Sequence, residues 1–189
     1  MPLNKARFCS ALLALSAFAA PALAADLTFA AASNPVQQGN GVDVRVLITG
    51  ISDLSTYQFS VSFDPSLFQV TSVTEGSFLG TGGTTFSDGG SIDNSAGTIS
   101  YVFNTLIGPI AGVSGSGTLA TIHLNAIGVG TSALTFSDTL FLNSQSLDIA
   151  VQTVNGSLAV TAVPEPSTYL MLVAGLAGIG ALRRRQANV

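Results

Sequence analysis

Tryptophan is absent from this chain, histidine and cysteine occur once each, and only 8% of its residues are charged. Each shortage excludes something. The single cysteine, Cys9, lies in an apolar leader, so the exported chain has no disulfide, thiol nucleophile or cysteine metal ligand. Its fold must be held by packing alone. Between Ala25 and Thr161 there is one basic residue, Arg45, against nine of the ten acidic ones. Such a domain repels nucleic acid and anionic membrane surfaces, which require clustered Lys and Arg. A hydrolytic triad needs a base, a nucleophile and an orienting carboxylate. One histidine, with no lysine or cysteine beside it in the domain, nearly closes that route.

The remaining basic residues mark the two ends. Lys5 and Arg7 precede the apolar run from Phe8 to Ala20, followed by Pro21 and the small-residue sequence Ala22-Leu23-Ala24. This is a secretory signal peptide over residues 1–24, cleaved before Ala25. Cys9 follows Lys-Ala-Arg-Phe and does not fit a lipoprotein signal.

The middle, residues 26–161, is rich in Val, Ile, Thr, Phe and Ser, with Gly and Asn-Gly breaks. In "VDVRVLI", Val42, Val44, Val46 and Ile48 oppose Asp43 and Arg45; in "YQFSVSFD", Tyr57, Phe59, Val61 and Phe63 oppose Gln58, Ser60, Ser62 and Asp64. A period of two with one apolar side predicts strands with one face in a core and one in water. Weaker alternation continues at 67–73, 98–103, 119–126, 132–136, 147–152 and 157–160. Eight or nine short strands predict an antiparallel sandwich. The Gly- and Ser-rich stretches 80–97 and 108–117 read as exposed loops.

Little in this domain carries chemistry. On its strand, His123 shares a polar face with Thr121 and Asn125, which reads as surface. Asp43, Asp53, Asp64 and Glu75 sit at strand edges or turns, and no spacing sets two of them across one cleft as glycoside hydrolysis requires. Asp88, Asp93 and Asn94 lie in a Gly-rich loop that could wrap a calcium ion with oxygen ligands, although "DGGSIDN" lacks the EF-hand spacing. No other cofactor is expected.

Three segments resemble the cohesin family, in the family's order: "YQFSVSFDPSLFQVTSV" with Phe63, Asp64, Pro65, Leu67 and Val70; "SGTLATIHLNA" with Gly117, Leu119, Ala120 and Ile122; and "TVNGSLAV". The resemblance implies an all-β cohesin-like jelly-roll sandwich of about nine strands, related in shape to bacterial carbohydrate-binding modules. It also implies a protein partner bearing a dockerin-like module.

The C-terminal stretch 163–186, "VPEPSTYLMLVAGLAGIGALRRRQ", holds a proline-framed segment, an apolar run and three arginines. From Ser167 to Leu182 no residue is charged, and as a helix that run spans about 24 Å. A single transmembrane helix over 167–182 is expected, slightly shorter than a bilayer core of about 30 Å. Tyr169 and the arginines would anchor its interfaces, with Arg183, Arg184 and Arg185 in the cytoplasm and the sandwich outside. The segment resembles the PEP-CTERM sorting signal, carried here by Pro164, Glu165 and Pro166 and by Arg183, Arg184 and Arg185. That resemblance implies recognition and cleavage by an exosortase in a Gram-negative bacterium.

Taken together, these features predict an exported, non-enzymatic protein, held transiently in the inner membrane and delivered to the cell surface or to the extracellular matrix of a biofilm. Its sandwich would bind a protein or a polysaccharide. The alternative is a calcium-stabilised carbohydrate-binding module, disfavoured because sugar stacking wants exposed aromatic rings and the domain has no Trp.

Overall fold

A computed structural model describes residues 24–163, 171–177, 179 and 183. Within them the chain runs β1 (Ala25–Ala31), β2 (Val36–Gln37), β3 (Gly41–Ser62), β4 (Phe68–Glu75), α1 (Ser77–Gly80), β5 (Thr85–Asp88), β6 (Ser91–Asp93), β7 (Thr98–Leu106), β8 (Val113–Ala126), β9 (Gly130–Asn143), β10 (Val151–Thr153) and β11 (Gly156–Thr161).

The architecture turns on β3. Its 22 residues contain both of the alternating runs read from the sequence, fused into one strand that serves two sheets. The first part pairs antiparallel with β1 on one side and β8 on the other, and β10 and β4 extend that sheet. Beyond the bend, residues from Thr56 to Ser62 pair with β7 and β9. Here β5 and β6 lie outside β7, and β11 and β2 extend from β9. The pairings of β1 with β10 and of β11 with β2 are parallel.

The bend lies between Ile48 and Leu54, where the register with β8 shifts twice. Gly50 there has φ +71, a left-handed conformation that costs glycine nothing. Asp53, at φ 55, accepts that conformation as few residues do, because its side chain is tied down on both oxygens. Oδ1 accepts the Gly112 N–H at 2.7 Å, and Oδ2 accepts the Ser144 hydroxyl at 2.8 Å. A side chain at Gly112 would place Cβ 2.3 Å from the Asp53 carbonyl oxygen, so only glycine permits the approach.

The inward rows of both sheets form one core. Val44, Val46, Leu27 and Leu119 from one sheet and Tyr57, Phe59, Ile99 and Phe141 from the other are almost wholly removed from water. Phe29 of β1 stacks on Phe136 of β9 with ring centroids 3.9 Å apart, and Phe59 meets Phe136 edge-on. Each such burial is worth about 1.5–3 kcal/mol against exposure. This is how a domain without disulfides remains folded.

Several local expectations change. There are eleven strands among the described residues rather than nine: two of the alternating runs fuse into β3, while β1, β2, β5 and β6 lie outside those runs. The stretch 80–97 is not simply loop: β5 and β6 both add to the edge of β7. Likewise β8 begins at Val113, inside the second Gly-rich stretch, because backbone pairing with β3 supplies what the sparse side chains do not. In 147–152, only an isolated bridge at Asp148 and the start of β10 are strand-like.

At the C-terminus, residues 171–177, 179 and 183 are helical. Among the described residues no helix is long and apolar enough to cross a membrane. The expected 167–182 span falls partly outside the described residues, as do the signal peptide and Pro164, Glu165, Pro166, Arg184 and Arg185.

Candidate functional site

The two sheets present very different outer faces. On the sheet built around the second half of β3, cross-strand partners share a face, so the register identifies its rows. One row runs Phe86 on β5, Thr105 on β7, Thr56 on β3 and Leu142 on β9; the next runs Asp88, Phe103, Gln58 and Leu140. Phe86 is 61% exposed and Leu140 40% exposed. Tyr101, at 58% exposure, stands on β7 at a break in its register with β3. Its φ of 58 marks a bulge, and its N–H donates to the Ser60 hydroxyl at 3.1 Å. A bulge re-aims a side chain that alternation would have turned inward. The Thr56 and Thr105 hydroxyls are hydrogen-bonded at 2.7 Å in the centre. Aromatic and aliphatic groups around a small polar centre have the composition of a protein-binding surface.

The outer face of the other sheet is polar. Asp43, His123 and Ser72 form one row, and Arg45, Thr121 and Thr74 the next. The Asp43 carboxylate only accepts, so His123 Nδ1–H donates to it, at 2.7 Å. Nε2 of the same ring lies 3.0 Å from the Thr74 hydroxyl. The chain of contacts is ordered like a hydrolytic relay, but it lies on an exposed sheet face. Asp43 is 57% and His123 32% exposed. Sequence reading identified the polar face but missed the pairing, which depends on the β3–β8 register.

Asp88, Asp93 and Asn94 are each engaged with the backbone, and the register sets Asp88 opposite Phe103 and Asp93 opposite Thr98, well apart along β7. Asp93 Oδ1 accepts the N–H groups of Ser95 and Ala96, which holds its carboxyl below the ordinary range. Asn94 clamps the edge of β4: Oδ1 accepts the Val70 N–H at 2.8 Å and Nδ2 donates to the Val70 carbonyl at 2.9 Å. Asp88 Oδ1 accepts the Gly90 N–H at 2.9 Å. Among the described residues no group of three or more His, Cys, Asp or Glu is gathered to hold a metal. Of the sorting residues, only Arg183 is described, and it is exposed in the C-terminal helical segment.

Glu75 and Asn104 are more closely linked than their positions suggest. Asn104 is fully buried, and its Nδ2 donates to Glu75 Oε1 at 2.7 Å. Thr85 Oγ1 donates to the same oxygen at 2.7 Å. Partial burial pushes the Glu75 carboxyl up, but hydrogen bonds from Thr85, Asn104 and Ser87 outweigh it and leave it below its ordinary value. Burial pushes the neighbouring Tyr57 phenol well above its ordinary range. The available signal for Asn104 was a polar residue in the inward row of β7, between Val102 and Leu106.

This sandwich is the cohesin fold. A non-cellulosomal cohesin from the archaeon Archaeoglobus fulgidus superposes with a TM-score of 0.58 at 19% identity, covering 77% of this chain and 96% of the other. A type II cohesin of Acetivibrio cellulolyticus, determined in a cohesin–X-dockerin complex, gives 0.62 at 16% identity over 72% and 99%. A type I cohesin of Clostridium thermocellum, determined with a dockerin, gives 0.61 at 13% identity over 74% and 95%. Comparison with curated proteins returns no match. The cohesin domain model matches residues 27–160, and the chain belongs to the cohesin domain family. Residues 162–185 match the PEP-CTERM protein-sorting motif.

Proposed function

We propose that this protein is an exported, non-catalytic adaptor whose sandwich captures a protein partner of the dockerin type. The observation that carries this reading is the outer face of β5, β7, β3 and β9, with Phe86, Tyr101, Phe103 and Leu140 set around the Thr56–Thr105 pair. Rigid aromatic anchors around a small polar centre are what interface hot spots are made of. The opposite face offers no comparable anchor.

The tail supplies the address. Signal peptide 1–24 directs export. The segment 167–182 holds the chain in the inner membrane with Arg183, Arg184 and Arg185 inside, and an exosortase cleaves near Pro164, Glu165 and Pro166. The two prolines keep that segment extended and accessible to a protease cleft. The product is delivered to the cell surface or matrix.

Two measurements test the two halves. Titration with a panel of dockerin modules is expected to give saturable binding that a Phe103→Asp variant loses; binding that the variant retains would remove this face as the site. Mass spectrometry of the mature protein from its host is expected to find a C-terminus near 164–166. Recovery of a terminus at Val189 in the inner membrane would mean a plain anchor.

A further inference from the structure

The chain leaves the sandwich at one end, and the strand registers show what gathers there. Val160 of β11 lies opposite Gly130 and Val36, Phe68 lies opposite Ala126, and Gly41 lies opposite Asn125. The β8–β9 turn, the β2–β3 turn, the corner before β4 and the close of β11 therefore share this end. Ile127 and Val129 on the β8–β9 turn, and Val163 just beyond β11, are each about half exposed. The turn is not a loose one. The Ile127 and Gly128 N–H groups both donate to the Leu67 carbonyl, and the Ile127 carbonyl accepts from Gln38 Nε2 at 2.8 Å. The Gln38 N–H donates to the Thr161 carbonyl at 2.9 Å, which ties the turn to the strand from which the tail departs. A side chain at Gly128 would collide with the Ser66 carbonyl oxygen, so the turn is seated against the corner before β4.

Charge is missing from the same place. Residues 36–41, 125–130 and 161–163 contain no charged side chain, and Asp64, at the corner, is engaged by the amide and hydroxyl of Ser66. Single exposed apolar side chains need no explanation. What sets these apart is the reach of the tail. Only Pro164, Glu165 and Pro166 separate Val163 from the uncharged run that begins at Ser167. Four Cα–Cα steps span at most about 14 Å. The interfacial layer between water and hydrocarbon is itself about 5–7 Å deep on each side of a bilayer. With 167–182 across the membrane, this end of the sandwich must stand at the headgroups.

We propose that Ile127 and Val129 form a membrane-contact tip that beds into the headgroup–acyl boundary of the bilayer while the tail is anchored. The inference rests on the reading of 167–182 as a membrane span. The ligand is the lipid surface, met by apolar contact rather than by charge. The tip is neutral, and the acidic residues elsewhere on the domain oppose electrostatic attachment to anionic lipid. Alone the contact is weak, and the tether makes it effective by holding the tip at a high effective concentration. There is a consequence for capture. Strands β3, β7 and β9 all run up from this end. Seated on its tip, the sandwich stands upright, and the face with Phe86, Phe103 and Leu140 looks sideways, open to a partner.

The test uses the full chain reconstituted into phosphatidylcholine vesicles whose acyl chains carry bromine near the headgroup end. Because the chain has no Trp, each substitution supplies a single fluorophore. Val129→Trp probes the tip, and Leu172→Trp probes the tail. Ile107→Trp probes the opposite end, which the nine residues of β7 set roughly 30 Å away. Val129→Trp is expected to shift its emission to the blue and to lose intensity to bromine, and adding Ile127→Asp to reverse both changes. Ile107→Trp should show neither change, and Leu172→Trp should be quenched whatever the tip does. If Val129→Trp fails to fold, Ile127→Trp probes the same turn. Quenching at Leu172 without quenching at the tip overturns the proposal and leaves the anchor standing. No quenching at Leu172 means that the anchor itself has failed, and the tip fails with it. Equal quenching at the tip and at Ile107 also overturns the proposal. So does a blue shift at the tip that appears only when an exosortase is reconstituted alongside, since the tip would then belong to the enzyme.

Discussion

The two outer faces of the sandwich are made by the same strand, yet they carry opposite chemistry. Before the bend, β3 turns Asp43 and Arg45 outward beside His123 and Thr121. After it, Gln58 and Thr56 lie among Phe103, Phe86 and Leu140. Behind both faces runs one continuous core. A face that only meets water needs polar groups and nothing else. Exposed aromatic side chains on the second face lower solubility, and their persistence there is explained by a partner that covers them.

The largest effect should come from the shared core, where the contrast disappears. Phe59 is fully buried and packs against Tyr57 and Phe136. Phe59→Ala is expected to cost about 3–5 kcal/mol in denaturant unfolding and to weaken both faces together. The contrast sharpens with surface variants. Tyr101→Asp or Phe103→Asp should reduce partner affinity about 30-fold or more with the fold intact, the magnitude of a hot-spot loss. Calorimetric titration of the same partner against both variants gives that ratio directly.

The bend between the faces has a pH signature. Asp53 is held below its ordinary value of 3.8 by hydrogen bonds from Ser144 and Gly112. The hydroxyl and amide of Ser66 lower Asp64, and two amides lower Asp93. Carboxyls depressed in the folded state add stability that is complete above the unfolded pKa and disappears as pH falls through the folded one. Thermal stability should therefore be flat around neutrality and decline below about pH 4, and Asp53→Asn should lessen that decline. A Tm profile as steep in the variant as in the parent would exclude Asp53 as a contributor. The smallest effect is expected on the polar face. His123→Ala removes an exposed pair worth about 0–1 kcal/mol and should leave partner binding unchanged, checked in the same titration.

Much of this was legible from periodicity. Alternation in 42–48 and 57–63 correctly predicted which apolar side chains enter the core, because a pleated strand has no other way to separate apolar from polar groups, although Ser60, read as water-facing, is buried. Their fusion into one strand was not legible, since continuity through Gly50 and Asp53 depends on hydrogen bonds from residues 59 to 91 positions away. The Gly-rich stretches misled for the same reason: β5 and the start of β8 are strands by virtue of their neighbours' backbones. Tyr101 would be placed by alternation opposite to where the bulge turns it.

Composition and local pattern alone determined the exported class, the all-β fold and the sorting tail, because strand period and sorting motif are properties of short segments. Tertiary structure alone decided which strands adjoin, and so which side chains meet: Phe86 with Phe103 and Leu140 on one face, Asp43 with His123 on the other, and Glu75 with a buried Asn104 between them. Sites of that kind are built from residues 29 to 80 positions apart, and only register across a sheet brings such residues within hydrogen-bonding distance.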